Sequence, residues 1–185
     1  LTYHWAFIKK IINATSCRVT AVNYPLSPEH TYKETYEMVL KTYNFLIDTY
    51  PEDKFILMGD SAGGGLAMGL THKLIEDKHP TLPVKNILIS PALDLTVSNP
   101  GYKELENLDL LLSFKFMKYC ASVYSGGDDL NQELLSPING SFENHPETIV
   151  FYGTYELFLA DCLKLKSITE KINAPFTYSG YEGML

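Results

Sequence analysis

The sequence has few of the residues that phosphate, metal and membrane binding require. Arg18 is the only arginine among 185 residues, and 22 acidic side chains against 15 basic ones give a net charge of −7. The three cysteines (Cys17, Cys120 and Cys162) show no metal-ligand spacing, and no apolar run approaches the roughly 18 residues of a membrane span. The composition therefore argues against nucleic-acid binding, a metal site and a membrane span.

What remains is an ordinary globular composition, with 45% hydrophobic and 20% charged residues. Cys17 and Cys162 fall in predicted regular elements, so we expect buried free thiols and a reducing, cytoplasmic location. The sequence starts at Leu1 within a helical pattern and stops at Leu185 directly after a strand pattern. We therefore expect both ends to be cut from something longer.

Strand and helix patterns alternate along the chain, which predicts an α/β fold with a mostly parallel sheet and helices on both faces. We expect residues 1–185 to form one such domain. The predicted helices are 4–14, 31–50, 62–78 and 159–172, and the predicted strands are 18–22, 54–58, 84–89, 148–152 and 176–179.

Residues 97–145 interrupt this alternation between two predicted sheet strands. The segment is rich in leucine and phenylalanine and predicts a largely helical excursion. Two interpretations stay open, a segment that lines a pocket or covers it as a lid, and ordinary packing of helices on the core.

The most informative motif is Gly59-Asp60-Ser61-Ala62-Gly63, set between a predicted strand and a predicted helix. Gly-x-Ser-x-Gly in this context indicates a nucleophile elbow, a strained turn that exposes one serine hydroxyl. We expect Gly59 and Gly63 to be required because neighbouring backbone passes close to both. The helix N-terminus would stabilise developing negative charge, with the Ala62 N–H as an oxyanion donor. The alternative is a glycine-rich turn that merely starts a helix.

Four stretches follow one another at informative spacing: Tyr24–His30 (YPLSPEH), Gly59–Gly64 (GDSAGG), Ser90–Thr96 (SPALDLT) and Gly153–Phe158 (GTYELF). Over essentially the whole chain they resemble the bacterial esterases of the hormone-sensitive-lipase group of the α/β-hydrolase superfamily. The resemblance implies a serine carboxylesterase or lipase-like hydrolase. Such an enzyme acts on short to medium acyl esters through an acyl-enzyme, without a metal or organic cofactor. It also implies that Asp60 holds the elbow loop, although Asp60 could be a simple turn residue.

The departures from the family pattern concern the two ends. The family's His-Gly-Gly-Gly run, which supplies oxyanion donors, is absent upstream of residue 4, and so are the strands that precede that run in the family. Residues 181–185 resemble the loop before the family's catalytic histidine and stop where that histidine is expected. We therefore expect the base just after Leu185, and little activity from residues 1–185 alone.

The acid of a catalytic triad follows the nucleophile along the chain in α/β-hydrolases. Glu156 comes directly after the predicted strand 148–152, at the sheet edge where Ser61 is expected, and is the predicted acid. Asp161 is the alternative acid, and it could instead be a surface charge or a partner of the acid.

The five histidines offer no convincing base within the chain. His72 lies roughly 16 Å from Ser61 along one predicted helix, and His79 lies farther away. His145 precedes a strand, which places it at the wrong edge. His4 and His30 lie at the correct edge, but His4 begins a predicted helix and His30 matches a structural position in the family's turn.

Two other functions remain open from the sequence. One is a peptidase or amidase on the same scaffold, and the other is a non-catalytic, ligand-binding member of the fold. We expect a small-molecule ester as the partner of the site. Edge-to-edge pairing of the last strand would also allow a homodimer.

Overall fold

A computed structural model describes residues 2–185, in which four parallel strands form one sheet in the order β1-β2-β3-β4. Because all neighbouring strands are parallel, their carboxyl ends meet at the same edge of the sheet. The strands are β1 Ile56–Asp60, β2 Lys85–Ile89, β3 Glu147–Gly153 and β4 Phe176–Tyr181.

Helices connect successive strands, as the alternating pattern predicts. The helix after the elbow and the last helix pack on the sheet, and the second helix of the chain packs on the helix after the elbow. No helix within residues 2–185 is long and apolar enough to cross a bilayer. The helices are α1 Thr2–Thr15, α2 Tyr32–Thr49, α3 Ala62–Glu76, α4 Tyr102–Leu105, α5 Phe114–Ser125 and α6 Leu159–Lys171.

The main core lies between the sheet and helices α3 and α6. Met68 of α3, Leu88 of β2, Val150 of β3 and Leu165 of α6 are fully buried in one cluster. A second cluster joins α2 to α3 through tyrosines and leucines. The α/β fold class predicted from the sequence is confirmed, and burial of these side chains is the main force that holds helices and strands together.

The predicted strand 18–22 is wrong, because residues 16–26 form no regular secondary structure. Residues 18–21 are exposed, with Arg18 bonded to Asp53, and only Val22 packs against the core, so the alternating sequence pattern is not matched by alternating burial. A strand also needs a partner, and within residues 2–185 β1 pairs only with β2. The same segment leaves Cys17 exposed, which corrects the expectation of a buried thiol, whereas Cys162 is buried.

Residues 97–145 lie between β2 and β3 and contain α4, α5 and a 3-10 turn at Pro137–Asn139. Capped turns join these pieces, so helices form a smaller part of the excursion than the pattern predicts. Tyr102 and Met117 of the excursion are buried in a third cluster with Leu157 and Phe158. The excursion therefore packs against the loop that follows β3 and the start of α6.

Candidate active site

Ser61 lies at the sharp bend between β1 and α3. Its φ of 52° and ψ of −120° belong to a region that residues with a Cβ rarely adopt, and its side chain is exposed. The Ser61 N–H donates to the carbonyl of Ile89 at the end of β2, with an N to O distance of 2.9 Å. The turn therefore exposes the serine at the carboxyl edge of the sheet, as an elbow requires.

The glycines around Ser61 have unequal roles. A Cβ at Gly59 would lie 2.1 Å from the carbonyl oxygen of Gly63, so the bend forbids a side chain there. Among residues 2–185 a Cβ at Gly63 would meet nothing within 4 Å, so within this part of the chain the expectation that Gly63 is required is wrong. The close approach between the two residues involves the backbone of Gly63 and the Cβ position of Gly59, not the Cβ position of Gly63. A Cβ at Gly65 would lie 2.2 Å from the Ala92 carbonyl oxygen, so Gly65 has the second steric requirement.

The N–H groups at the start of α3 surround the elbow. The Ser61 carbonyl accepts hydrogen bonds from the N–H groups of Gly64, Gly65 and Ala92, at 3.0, 3.2 and 3.0 Å. Ala62 is the first residue of α3, where an N–H has no carbonyl partner within its own helix. The Ala62 N–H is therefore placed to donate to an oxyanion at the elbow.

Glu156 follows the end of β3 at the same sheet edge and is only 4% exposed. Ser90 Oγ donates to Glu156 Oε2 at 2.7 Å, while Glu156 Oε1 is buried without a hydrogen-bond partner among residues 2–185. Burial raises the pKa of the Glu156 carboxyl, and the hydrogen bond from Ser90 opposes that rise. One oxygen of this carboxylate is thus fixed and the other can accept a further donor.

Asp161, the alternative acid, is fully buried rather than at the surface. Its Oδ1 accepts a hydrogen bond from Asn99 Nδ2 at 2.8 Å, and its Oδ2 accepts one from the Tyr102 hydroxyl. Burial raises its pKa to about 6. Both oxygens of Asp161 are therefore engaged by residues of the excursion, which ties the start of α6 to it.

Two histidines form a buried pair far along α3 from the elbow. His145 Nε2 lies 3.1 Å from His72 Nδ1, and His72 Nε2 lies 2.9 Å from the Pro137 carbonyl oxygen. Phe142 and Phe176 pack against this pair. The pair is therefore part of the core packing at the end of the sheet opposite the elbow. Neither histidine is near Ser61, as the positions of both residues in the sequence predict.

The other three histidines are partly exposed. His79 bonds to Asn44 and to the Thr81 carbonyl, and His30 lies 4.0 Å from a carboxylate of α2. His4 Nε2 lies 3.0 Å from Asp60 Oδ2, with both side chains about half exposed. Asp60 thus ties α1 to the elbow, and the imidazole of His4 is directed to this carboxylate.

Two polar residues at the site were missed by the sequence reasoning. Ser90 lies in a recognised motif, but only the fold shows that it donates to Glu156, which lies 66 positions away. Asp109 lies among leucines of the excursion, yet its carboxylate accepts the N–H of Leu157 at 2.8 Å. An acidic residue inside a leucine-rich run is the one signal that could have drawn attention to Asp109. Within residues 2–185 no group of three histidine, cysteine or acidic side chains could hold a metal ion.

A family model of the alpha/beta hydrolase fold matches residues 1–185, and the chain belongs to this family. It is 29% identical over 187 residues to an esterase of Acinetobacter venetianus, covering 100% of this chain and 61% of the relative. It is 27% identical to an acetyl-hydrolase of Streptomyces hygroscopicus, covering 93% and 58%.

A solved esterase from the bacterial hormone-sensitive lipase family superimposes on the chain with a TM-score of 0.88 and 26% identity, covering 94% of this chain and 59% of that one. The resemblance to this esterase group is confirmed. The chain spans about three fifths of the length of these relatives.

Proposed function

We propose that the protein is a serine ester hydrolase in which Ser61 is the nucleophile and Glu156 is the acid of the triad. The observation that carries the proposal is the shared segment between the two residues. The Ser61 N–H bonds to Ile89, Ser90 bonds to Glu156, and Ala92 bonds to the Ser61 carbonyl. Residues 89–92 thus place the strained serine and the buried carboxylate at one edge.

A serine hydroxyl is a weak nucleophile and needs a base within hydrogen-bond reach, which in turn needs an orienting acid. The proposed base is a histidine just after Leu185. In support, the Tyr155 N–H donates to the Met184 carbonyl at 3.0 Å, and the Gly183 N–H donates to Thr154 Oγ1 at 2.9 Å. Residues 183–185 therefore lie against the loop that carries Glu156, whose Oε1 can accept the imidazole N–H.

In the proposed reaction, Ser61 Oγ attacks the acyl carbonyl while the histidine removes the hydroxyl proton. The tetrahedral oxyanion accepts a hydrogen bond from the Ala62 N–H, and the imidazolium, stabilised by Glu156, returns the proton to the departing alcohol. Water, deprotonated by the same histidine, then attacks the acyl carbon, and the imidazolium returns the proton to Ser61 Oγ as the bond between that oxygen and the acyl group breaks and the carboxylic acid leaves. The steps use only these groups. We propose short to medium acyl esters as substrates, and the relatives named esterase and acetyl-hydrolase support ester cleavage and a short acyl group.

Ester turnover by the full-length protein tests this proposal. We expect hydrolysis of 4-nitrophenyl acetate, butyrate and octanoate, and its loss in Ser61→Ala. Ser167→Ala, which removes an exposed hydroxyl on α6, is the matched control and should keep wild-type rates. A panel of aminoacyl 4-nitroanilides at equal concentration distinguishes the alternatives. Faster turnover of the amides would indicate a peptidase or amidase, and no turnover of either class would indicate a ligand-binding protein.

A further inference from the structure

Asp109 lies in the turn between α4 and α5 and is 8% exposed. Its Oδ1 accepts hydrogen bonds from the N–H groups of Leu111 and Leu112, both at 2.8 Å, so one oxygen caps its own turn. Its Oδ2 accepts the N–H of Leu157, also at 2.8 Å and 48 positions along the chain. Three backbone donors therefore satisfy this buried carboxylate.

The N–H of Leu157 belongs to the peptide bond that joins Glu156 to Leu157. Fixing this N–H fixes the plane of that peptide and with it the backbone from which the Glu156 side chain starts. The Leu157 side chain is fully buried in the same cluster as residues of α4 and α5. The excursion therefore holds residues 154–158, the acid loop, by one charge-assisted hydrogen bond and by apolar packing.

We propose that Asp109 is a positioning residue for the catalytic acid, which it acts on through the Glu156–Leu157 peptide. This inference rests on the proposed function. Ser90 fixes one oxygen of the Glu156 carboxylate from the side of β2, while Asp109 fixes the backbone of Glu156 from the side of the excursion. With these two contacts in place, Glu156 Oε1 has a fixed direction from which it can accept a hydrogen bond from an imidazole.

Asp109→Asn in the full-length protein tests the assignment, because the amide has one acceptor oxygen and cannot serve both the turn and Leu157. We expect kcat for 4-nitrophenyl butyrate to fall by roughly 10- to 100-fold with KM within about threefold of wild type. Hydrogen exchange of the Leu157 amide should become at least about tenfold faster, while the elbow amides of residues 59–65 keep their protection.

Asp94→Asn is the matched control. Asp94 is a buried carboxylate in the segment between β2 and α4 that caps its own turn at Thr96, and within residues 2–185 it makes no hydrogen bond to residues 154–158. The Asp94→Asn substitution should lower the melting temperature without the fall in kcat that is expected for Asp109→Asn. If Asp109→Asn does not fold, Asp109→Glu keeps the charge and both acceptors but displaces them, and it should show a smaller fall in kcat of the same kind.

A kcat within twofold of wild type together with an unchanged Leu157 exchange rate would overturn the assignment. So would an equal fall in kcat for Asp94→Asn. Failure of the proposed function has a separate signature. If Glu156→Gln retains wild-type kcat, Glu156 is not the acid, whereas the exchange of the Leu157 amide still reports whether Asp109 holds the loop.

Discussion

Ser90 donates a hydrogen bond of 2.7 Å from Oγ to Glu156 Oε2, and it does so from a backbone with a positive φ of 45°. A positive φ is unfavourable for a residue with a side chain, and such strain is concentrated at functional sites. Ser90 is the first residue beyond β2, and two positions later Ala92 donates to the Ser61 carbonyl. One strained segment therefore sets the position of Glu156 relative to Ser61.

Replacing Ser90 with alanine should destabilise the ionised form of the Glu156 carboxyl relative to the protonated form. The hydrogen bond from Ser90 lowers the pKa of this carboxyl and burial raises it, so loss of the bond raises the pKa further. Hydrogen bonds to charged groups contribute about 1.5–3 kcal/mol, so the loss of this one should be detectable in the pH dependence of the rate. We expect the acid limb of the kcat/KM profile to move to higher pH. A profile that superimposes on that of wild type would contradict the role of Ser90.

Glu156→Gln should lower kcat by about 10³- to 10⁴-fold with a small change in KM, because an amide cannot stabilise an imidazolium. Asp161→Asn is the comparison that decides which carboxylate is the acid. It breaks the contacts with Tyr102 and Asn99 and should lower the melting temperature with a much smaller effect on kcat. The opposite ranking of the two kcat values would assign the acid to Asp161.

Gly59→Ala and Gly63→Ala form a matched pair of one-methyl substitutions. The methyl at Gly59 would lie 2.1 Å from the Gly63 carbonyl oxygen and must displace the elbow, whereas the methyl at Gly63 meets open space. We expect Gly59→Ala to lose several kcal/mol of unfolding free energy or fail to fold. Gly63→Ala should change stability by no more than about 1 kcal/mol, in the stabilising direction, because alanine is the better helix former. Urea unfolding measures both, and equal losses would contradict the elbow geometry.

The buried pair of His72 and His145 should make the fold sensitive to acid. Burial is the main cause of the low pKa of His145, about 3, and proximity to His72 adds to it. A histidine with a lowered folded pKa binds fewer protons than in the unfolded chain. Stability is therefore present above the unfolded pKa of about 6.5 and is lost as pH falls below it.

His145→Phe keeps an aromatic ring against Phe142 and Phe176 but cannot titrate. Between pH 7 and pH 5, wild type should lose about 2 kcal/mol more unfolding free energy than this variant. Contributions of the acidic groups to the pH dependence cancel in this difference, because wild type and variant carry the same acidic groups. Parallel stability curves over this pH range would show that His145 does not titrate as the buried pair requires.

The sequence reveals the parts of this fold that are encoded locally. The elbow, the four paired strands and the long helices each lie within one short window, where periodicity and glycine spacing act directly. The predicted strand 18–22 is wrong because a strand requires a neighbouring strand, which no local pattern can supply, and the alternating residue types of this segment do not produce alternating burial. Gly63 was misjudged for a related reason, since the motif does not show which of two close glycines has its Cβ directed at the other.

The site depends on contacts between distant positions. Glu156 could be placed at the elbow's edge because parallel strands end together, but its bond to Ser90 spans 66 positions and that between Asp109 and Leu157 spans 48. Such pairs leave no spacing signal in a single sequence. The elbow geometry at Ser61 was therefore predictable from the sequence, and the contacts that hold Glu156 were not.

The most direct measurement is the site of covalent labelling of the full-length protein by a fluorophosphonate, which reacts with an activated serine. Intact mass should show one adduct, and peptide mapping should place it on Ser61. We expect the adduct to be lost in Ser61→Ala and retained in Ser167→Ala. An unlabelled wild-type protein, or an adduct that persists in Ser61→Ala, would contradict the account of Ser61 as the nucleophile.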